Sequence, residues 1–189
     1  FTYLPQISNN INRAKKWFAD AIEKNNYKGK YNYCYCTKSS HFKHVLDEAL
    51  TNDIHIETSS AFDIDIVERL KAEGKITDNT FIISNGFKRA QYVTNIARLI
   101  NNGHKNSIPI IDNYEEIDLL SEEIKGNFNV GIRIASEEDP KFEFYTSRLG
   151  IGYKNIVPFY RNQIQNNKKV KLKMLHFFIN TGIRDNAYY

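Results

Sequence analysis

The stretch "NYCYCTKSSHF", Asn32 to Phe42, decides the fold, because a strand-like run passes through one lysine and two serines straight into a helical pattern. Side chains alternate along a strand, so with Lys38 facing inward Cys36 and Cys34 lie beneath it, while Tyr33, Tyr35 and Thr37 face surrounding helices. Small residues below and bulky ones outside suit an amine that reaches into a cavity. A lysine at a strand end is ordinarily a solvated terminus, however, so the meaning of this stretch depends on what surrounds it.

Outward from it, short apolar runs alternate with longer amphipathic ones, the rhythm of βα units. Strands are predicted at Tyr31 to Lys38, Ile54 to Thr58, Thr80 to Ser84, Ser107 to Ile111, Asn129 to Ala135 and Lys171 to Ile179. Helical patterns separate them at His41 to Leu50, Phe62 to Glu73, Arg89 to Asn101, Tyr114 to Glu123 and Ile156 to Gln165. A further helix at Ile7 to Lys24, with Ser8 as its cap, precedes the first strand. The strand ends read "KSS", "ETSS", "SNG", "DN", "ASEED" and "NTG", so polar and small residues collect at one end of every strand. Parallel α/β folds bind ligands at the carboxyl edge of the sheet, and the pattern predicts a partial TIM-type βα barrel with its chemistry there.

In "NVGIRIAS", Gly131, Arg133 and Ala135 share one face and Val130, Ile132 and Ile134 the other. Arg133 is therefore a cation opposite an aliphatic surface, either functional or paired with Glu57 or Asp112 as a structural ion pair. In "KMLHFFINTG", His176, Phe178 and Asn180 share the inward parity, with Leu175, Phe177 and Ile179 outward. A histidine at such a place is more commonly a hydrogen-bonded core residue than a ligand. The five histidines show no zinc spacing, "HFKH" lacks the glutamate of a metalloprotease helix, and no serine elbow, P-loop or dinucleotide fingerprint occurs. No metal site is expected.

Composition bounds the rest. With 189 residues, 41% hydrophobic and 13% aromatic, the chain can bury one sizeable core. No window approaches the roughly 20 apolar residues of a membrane span, so no membrane partner and a cytoplasmic setting are expected. Cys34 and Cys36 lie too close along one strand for an ordinary disulfide, which fits a reduced compartment. The net charge of +4 is mild, and the run Lys168, Lys169, Lys171, Lys173 reads as a solvated strand approach rather than a nucleic-acid footprint.

Taken in order, "YCTKSS", "HIETSSAFDIDIVERL", "FIISNGFKRAQYV", "IPIIDNYEEIDLL", "VGIRIAS", "SRLGIGY" and "LKMLHFFINTG" resemble the alanine-racemase-type barrel of pyridoxal-phosphate decarboxylases, and among these most of all the biosynthetic arginine decarboxylases. The resemblance implies a helical lead-in over 1–30, a cofactor-binding barrel over 31–189, and decarboxylation of arginine to agmatine in polyamine synthesis. It places Lys38 where the family's lysine forms an imine with the cofactor aldehyde, a step only a primary amine can perform. Arg133 falls on the strand arginine beside the cofactor phenolic oxygen. Phe178 stands where many relatives stack a histidine on the ring, and Thr181 where they carry a serine. Glu57 and Ser60 match an acidic and a hydroxyl position on the second strand end, Asn85 matches the third, and His176 lies on the last inward-facing strand. The resemblance also implies a homo-oligomer and allows magnesium in the full-length enzyme.

Departures accompany it: "FFINTG" for the usual "FHLGS", Ser40 for an asparagine, and "RLG" for "KFG". The family's glycine-rich phosphate loop, its acidic partner of the pyridine nitrogen and its β domain have no counterpart before Tyr189, so the chain reads as a barrel fragment, expected to be inactive by itself. Another basic amino acid as substrate (diaminopimelate, ornithine or carboxynorspermidine) and a non-catalytic cofactor-binding barrel are the alternative expectations.

Overall fold

The computed structural model describes residues 2–135 and 149–177. Helix α1 (Pro5–Lys24) leads into a repeated βα pattern: β1 (Cys34–Cys36), α2 (Lys43–Leu50), β2 (His55–Thr58), α3 (Ala61–Ala72), β3 (Ile82–Ser84), α4 (Ala90–Asn101), β4 (Ser107–Ile111), α5 (Glu116–Glu123) and β5 (Phe128–Ala135). Then come the two-residue β6 (Ile151–Gly152), α6 (Tyr153–Phe159) running on into a π-helical turn (Tyr160–Ile164), and β7 (Val170–Phe177). Every strand pairing is parallel, in the order β1-β2-β3-β4-β5-β6 with β7 also on β5. The described residues thus form part of a βα barrel, as the alternation of periods predicts, and among them no helix is long and apolar enough to cross a membrane.

Two apolar layers meet at the sheet. Ile56, Ile82, Ile111, Val130 and Ile132 point outward into the main core, where they pack against Ile64, Val67, Val93, Ile96, Ile117 and Leu120 of the helices. Each such burial contributes about 1.5–3 kcal/mol against leaving the side chain in water. Ile83, Ile108 and Ile110 point inward, with Phe81 and Met174, and floor the barrel interior. Strand β4 is buried at all five positions because helices cover one face and this floor the other. Gly131 is needed here: a Cβ on it would run into the Ile110 Cδ1 methyl and crowd Met174.

Three local expectations change. The first helix begins at Pro5, one turn's position that its missing N–H favours, so Ser8 lies inside the helix and donates its hydroxyl hydrogen to Glu48 of α2 rather than capping α1. Strand β1 is shorter than predicted, ending at Cys36, and Lys38 lies in the turn that follows, closed by Ser39 N–H to Cys36 O (3.1 Å). Strand β6 went unforeseen because two residues carry no period. It is tied beyond the end of β4 by Gly150 N–H to Asp112 O (3.0 Å) and pairs with the upper part of β5. Leu175 and Phe177 remain about half exposed rather than packed. Lys168, Lys171 and Lys173 are exposed, as a solvated strand approach requires.

Candidate active site

The carboxyl ends of β2, β3, β5 and β7 bring Glu57, Asn85, Arg133 and His176 together above the apolar floor. Asn85 Nδ2 donates to Glu57 Oε1 (3.0 Å), Arg133 Nη1 to Asn85 Oδ1 (3.4 Å), and His176 Nε2 lies 3.7 Å from Glu57 Oε2. Arg133 and His176 sit opposite each other in the β5–β7 register, across a bulge at Val130/Gly131 that sets the inward parity of Met174 and His176. Burial alone would raise the Glu57 carboxyl, but contacts to His176, Asn85 and Arg133 outweigh it and hold the group below its ordinary value. Glu57 is therefore an ionised acceptor. Beside it stands the Cys36 thiol, 3.9 Å from Glu57 Oε1, while Cys34 and Cys36 are both free.

Lys38 and Ser60 occupy a second place, a cleft of about 390 Å³ at the rim, lined also by Thr37, His41, Ser59 and Asp63. Asp63 shapes it by accepting from Ser59 N–H at 2.9 Å. Lys38 is exposed there and interacts with the Cys36 thiol through its backbone N–H and its charge, rather than lying among the inner four side chains. The physical reason is the turn: β1 stops two residues short of Lys38, so strand alternation no longer dictates its direction. Phe178 and Thr181 lie outside the described residues.

Beneath Arg133 lies a charge cluster that sequence reasoning did not assemble. Lys88 Nζ is fully buried, donates to Gly86 O (2.8 Å) and to Ile110 O, and lies 3.4 Å from Glu116 Oε2 and 3.8 Å from Asp112 Oδ2. Glu116 in the first turn of α5 accepts from Asp112 N–H (2.8 Å), Lys88 N–H (3.1 Å) and Asn113 Nδ2 (3.2 Å), knotting two barrel loops together. Burial pushes the Lys88 ammonium down and the Glu116 carboxyl up, each against the opposing charge of the other. The signal for Asp112 was its parity, since it follows the inward Ile108 and Ile110. For Lys88 there was only its place three residues beyond Asn85, which says nothing of burial.

The donor set suits an anionic, aldehyde-bearing ring such as pyridoxal phosphate. A primary amine stands at the mouth on Lys38, a guanidinium faces the interior on Arg133, and the buried Nδ1 of His176 has no hydrogen-bond partner among the described residues. No family profile matches the chain, and no curated protein matches it by sequence. Solved structures do match. The biosynthetic arginine decarboxylase of Campylobacter jejuni superposes with a TM-score of 0.68 at 20% identity, covering 92% of this chain and 28% of that one. The diaminopimelate decarboxylase of M. jannaschii, in co-complex with L-lysine, gives 0.74 at 17%, covering 98% and 42%. An SrLDC mutant in complex with PLP gives 0.60 at 16%, covering 77% and 35%. The chain thus spans well under half the length of these decarboxylases, and what it shares with them is the barrel fold.

Proposed function

We propose that this chain is barrel sequence of a pyridoxal-phosphate-dependent decarboxylase acting on a basic amino acid, with arginine the first substrate to assay. The observation that carries the reading is the inner polar layer: a guanidinium, an ionised carboxylate, an amide and an imidazole converge at the carboxyl ends of parallel strands above an apolar floor, with the Lys38 amine in a separate cleft at the rim. When bound, the cofactor supplies an electron sink for the loss of carbon dioxide. Lys38 offers the amine that attaches it, Arg133 holds negative charge on the ring side, and Glu57, 3.7 Å from His176 Nε2, orients the imidazole. Ser60 and Asn85 supply hydrogen bonds at the rim and the interior. The fold shared with decarboxylase structures, one of them holding PLP and another L-lysine, supports the class. A cytoplasmic homo-oligomer belongs to the same proposal.

The test uses the intact protein. Borohydride reduction after pyridoxal phosphate addition, followed by peptide mass mapping, is expected to place the label on Lys38, and Lys38→Ala to lose both label and decarboxylation. Label on another lysine, or full activity in the alanine variant, overturns the assignment. Assays with arginine, diaminopimelate, ornithine and carboxynorspermidine side by side identify the substrate.

A further inference from the structure

The Asp112 carboxylate has no exposure, yet among the described residues neither oxygen receives a hydrogen bond. Instead it is flanked by two cations at equal range, Arg133 Nε 3.8 Å from Oδ1 and Lys88 Nζ 3.8 Å from Oδ2. A buried charge without hydrogen bonds is expensive, and a neutral side chain of the same shape would stabilise the fold at least as well if packing were the only demand. We propose that Asp112 is the positioning residue for Arg133, fixing the orientation in which the guanidinium faces the barrel interior. The inference rests on the decarboxylase reading only for what Arg133 then holds.

The geometry around Asp112 suits that role. Its backbone is pinned on both sides, the N–H donating to Glu116 Oε2 (2.8 Å) and the carbonyl accepting from Gly150 N–H (3.0 Å). Gly150 in turn packs against the end of β5: at φ +101° it adopts a conformation open to glycine, and a Cβ there would meet Ala135 N at 2.8 Å and Arg133 O at 2.9 Å. The backbone of Arg133 and the carboxylate that faces its side chain are thus held in one frame. Asn85 Oδ1 accepts from Nη1 (3.4 Å) while the Asp112 carboxylate faces Nε at 3.8 Å, so one hydrogen bond and one charge contact together orient the group. Lys88, held by two carbonyl oxygens and by Glu116, fixes the far side of Asp112. The chain from Lys88 through Asp112 to Arg133 therefore places a cation by electrostatics from a site the ligand never reaches.

The experiment is Asp112→Asn in the intact protein, an isosteric change that removes charge and little volume, together with Asp112→Asn/Lys88→Met, which also removes the cation the first change leaves unbalanced. Two quantities are read: the apparent Kd for pyridoxal phosphate, from cofactor absorbance on titration of the apoprotein, and the solvent exchange rate of the Arg133 Nε–H by nuclear magnetic resonance without cofactor. Expected are a Kd raised about 10- to 100-fold, by analogy with the removal of groups that orient metal ligands, and faster Nε–H exchange, in at least the double variant should the single one not fold. Unchanged exchange in a folded variant overturns the proposal, whatever the Kd. Wild-type protein that binds no pyridoxal phosphate but shows the exchange difference overturns the functional reading and leaves the positioning role standing.

Discussion

Two clusters of opposite charge, built from the same kinds of residue, behave differently because one is wet and the other is dry. On the outer surface Arg98 of α4 reaches Asp65 (2.6 Å) and Glu68 (2.7 Å) of α3 with its side chain 41% exposed. Inside the barrel Lys88 faces Asp112 and Glu116 at longer range, with all three side chains at or near zero exposure. The surface group has the better distances and water as an alternative partner, so breaking it costs little. The inner group has poorer distances and no alternative, so each member depends on the others. Short distance is therefore a weak guide to importance here, and access to water a strong one.

The largest effect that would sharpen this contrast comes from Lys88→Met. Removing the cation leaves Asp112 and Glu116 as adjacent buried carboxylates, and a loss of about 3–5 kcal/mol in unfolding free energy is expected from urea denaturation. A loss below about 1 kcal/mol would mean that water reaches the cluster and would erase the distinction.

A smaller, pH-dependent effect is expected at the opposite end of the barrel. His104 is buried with its Nε2 on Thr80 O (2.8 Å), its Nδ1 without a hydrogen bond among the described residues and Asp78 at 3.6 Å. Burial holds its folded value below the ordinary 6.5, with Lys71 adding to the depression and Thr80 O and Asp78 opposing it. The unfolded chain then takes up the proton more readily than the folded one, so stability is full above the unfolded value and is lost as pH falls through it towards the folded value. Urea midpoints measured from about pH 8 down to about pH 5 should decline, and His104→Gln should flatten the decline. His55, likewise lowered by burial, leaves a residual slope, so an identical slope in the variant removes His104 as its source.

The smallest effect is the surface one. Arg98→Ala is expected to cost no more than about 1 kcal/mol in thermal or urea unfolding, shrinking further in high salt. A salt-independent loss of several kcal/mol would show that the α3–α4 contact depends on this triad, and the comparison would then fail from its exposed side.

Much of the architecture could be read directly from residue order. The periods of two and 3.6 predicted six strands and six helices that reappear within a few residues, because those periods are local consequences of which face each element buries. The inward parity of Arg133 was legible for the same reason, whereas His176 faces inward, as expected of it, through a bulge in the β5–β7 pairing that period does not show. Less was legible where period fails: Ser8 lost its capping role to a proline three residues earlier, β6 is too short to show alternation, and Lys38 escaped its strand through a turn.

What residue order by itself determined, then, is the alternation of elements and which face of each strand meets the helices, since both follow from hydrophobic spacing along a few neighbouring residues. What only the tertiary structure decided is which charges lost their water. Lys88 and Asp112 lie 24 positions apart, and Glu116 four further on, with nothing local that separates them from exposed lysines and carboxylates. Closing the β3–α4 and β4–α5 loops over the barrel brings them together without solvent, and desolvation is a property of that closure rather than of any one segment.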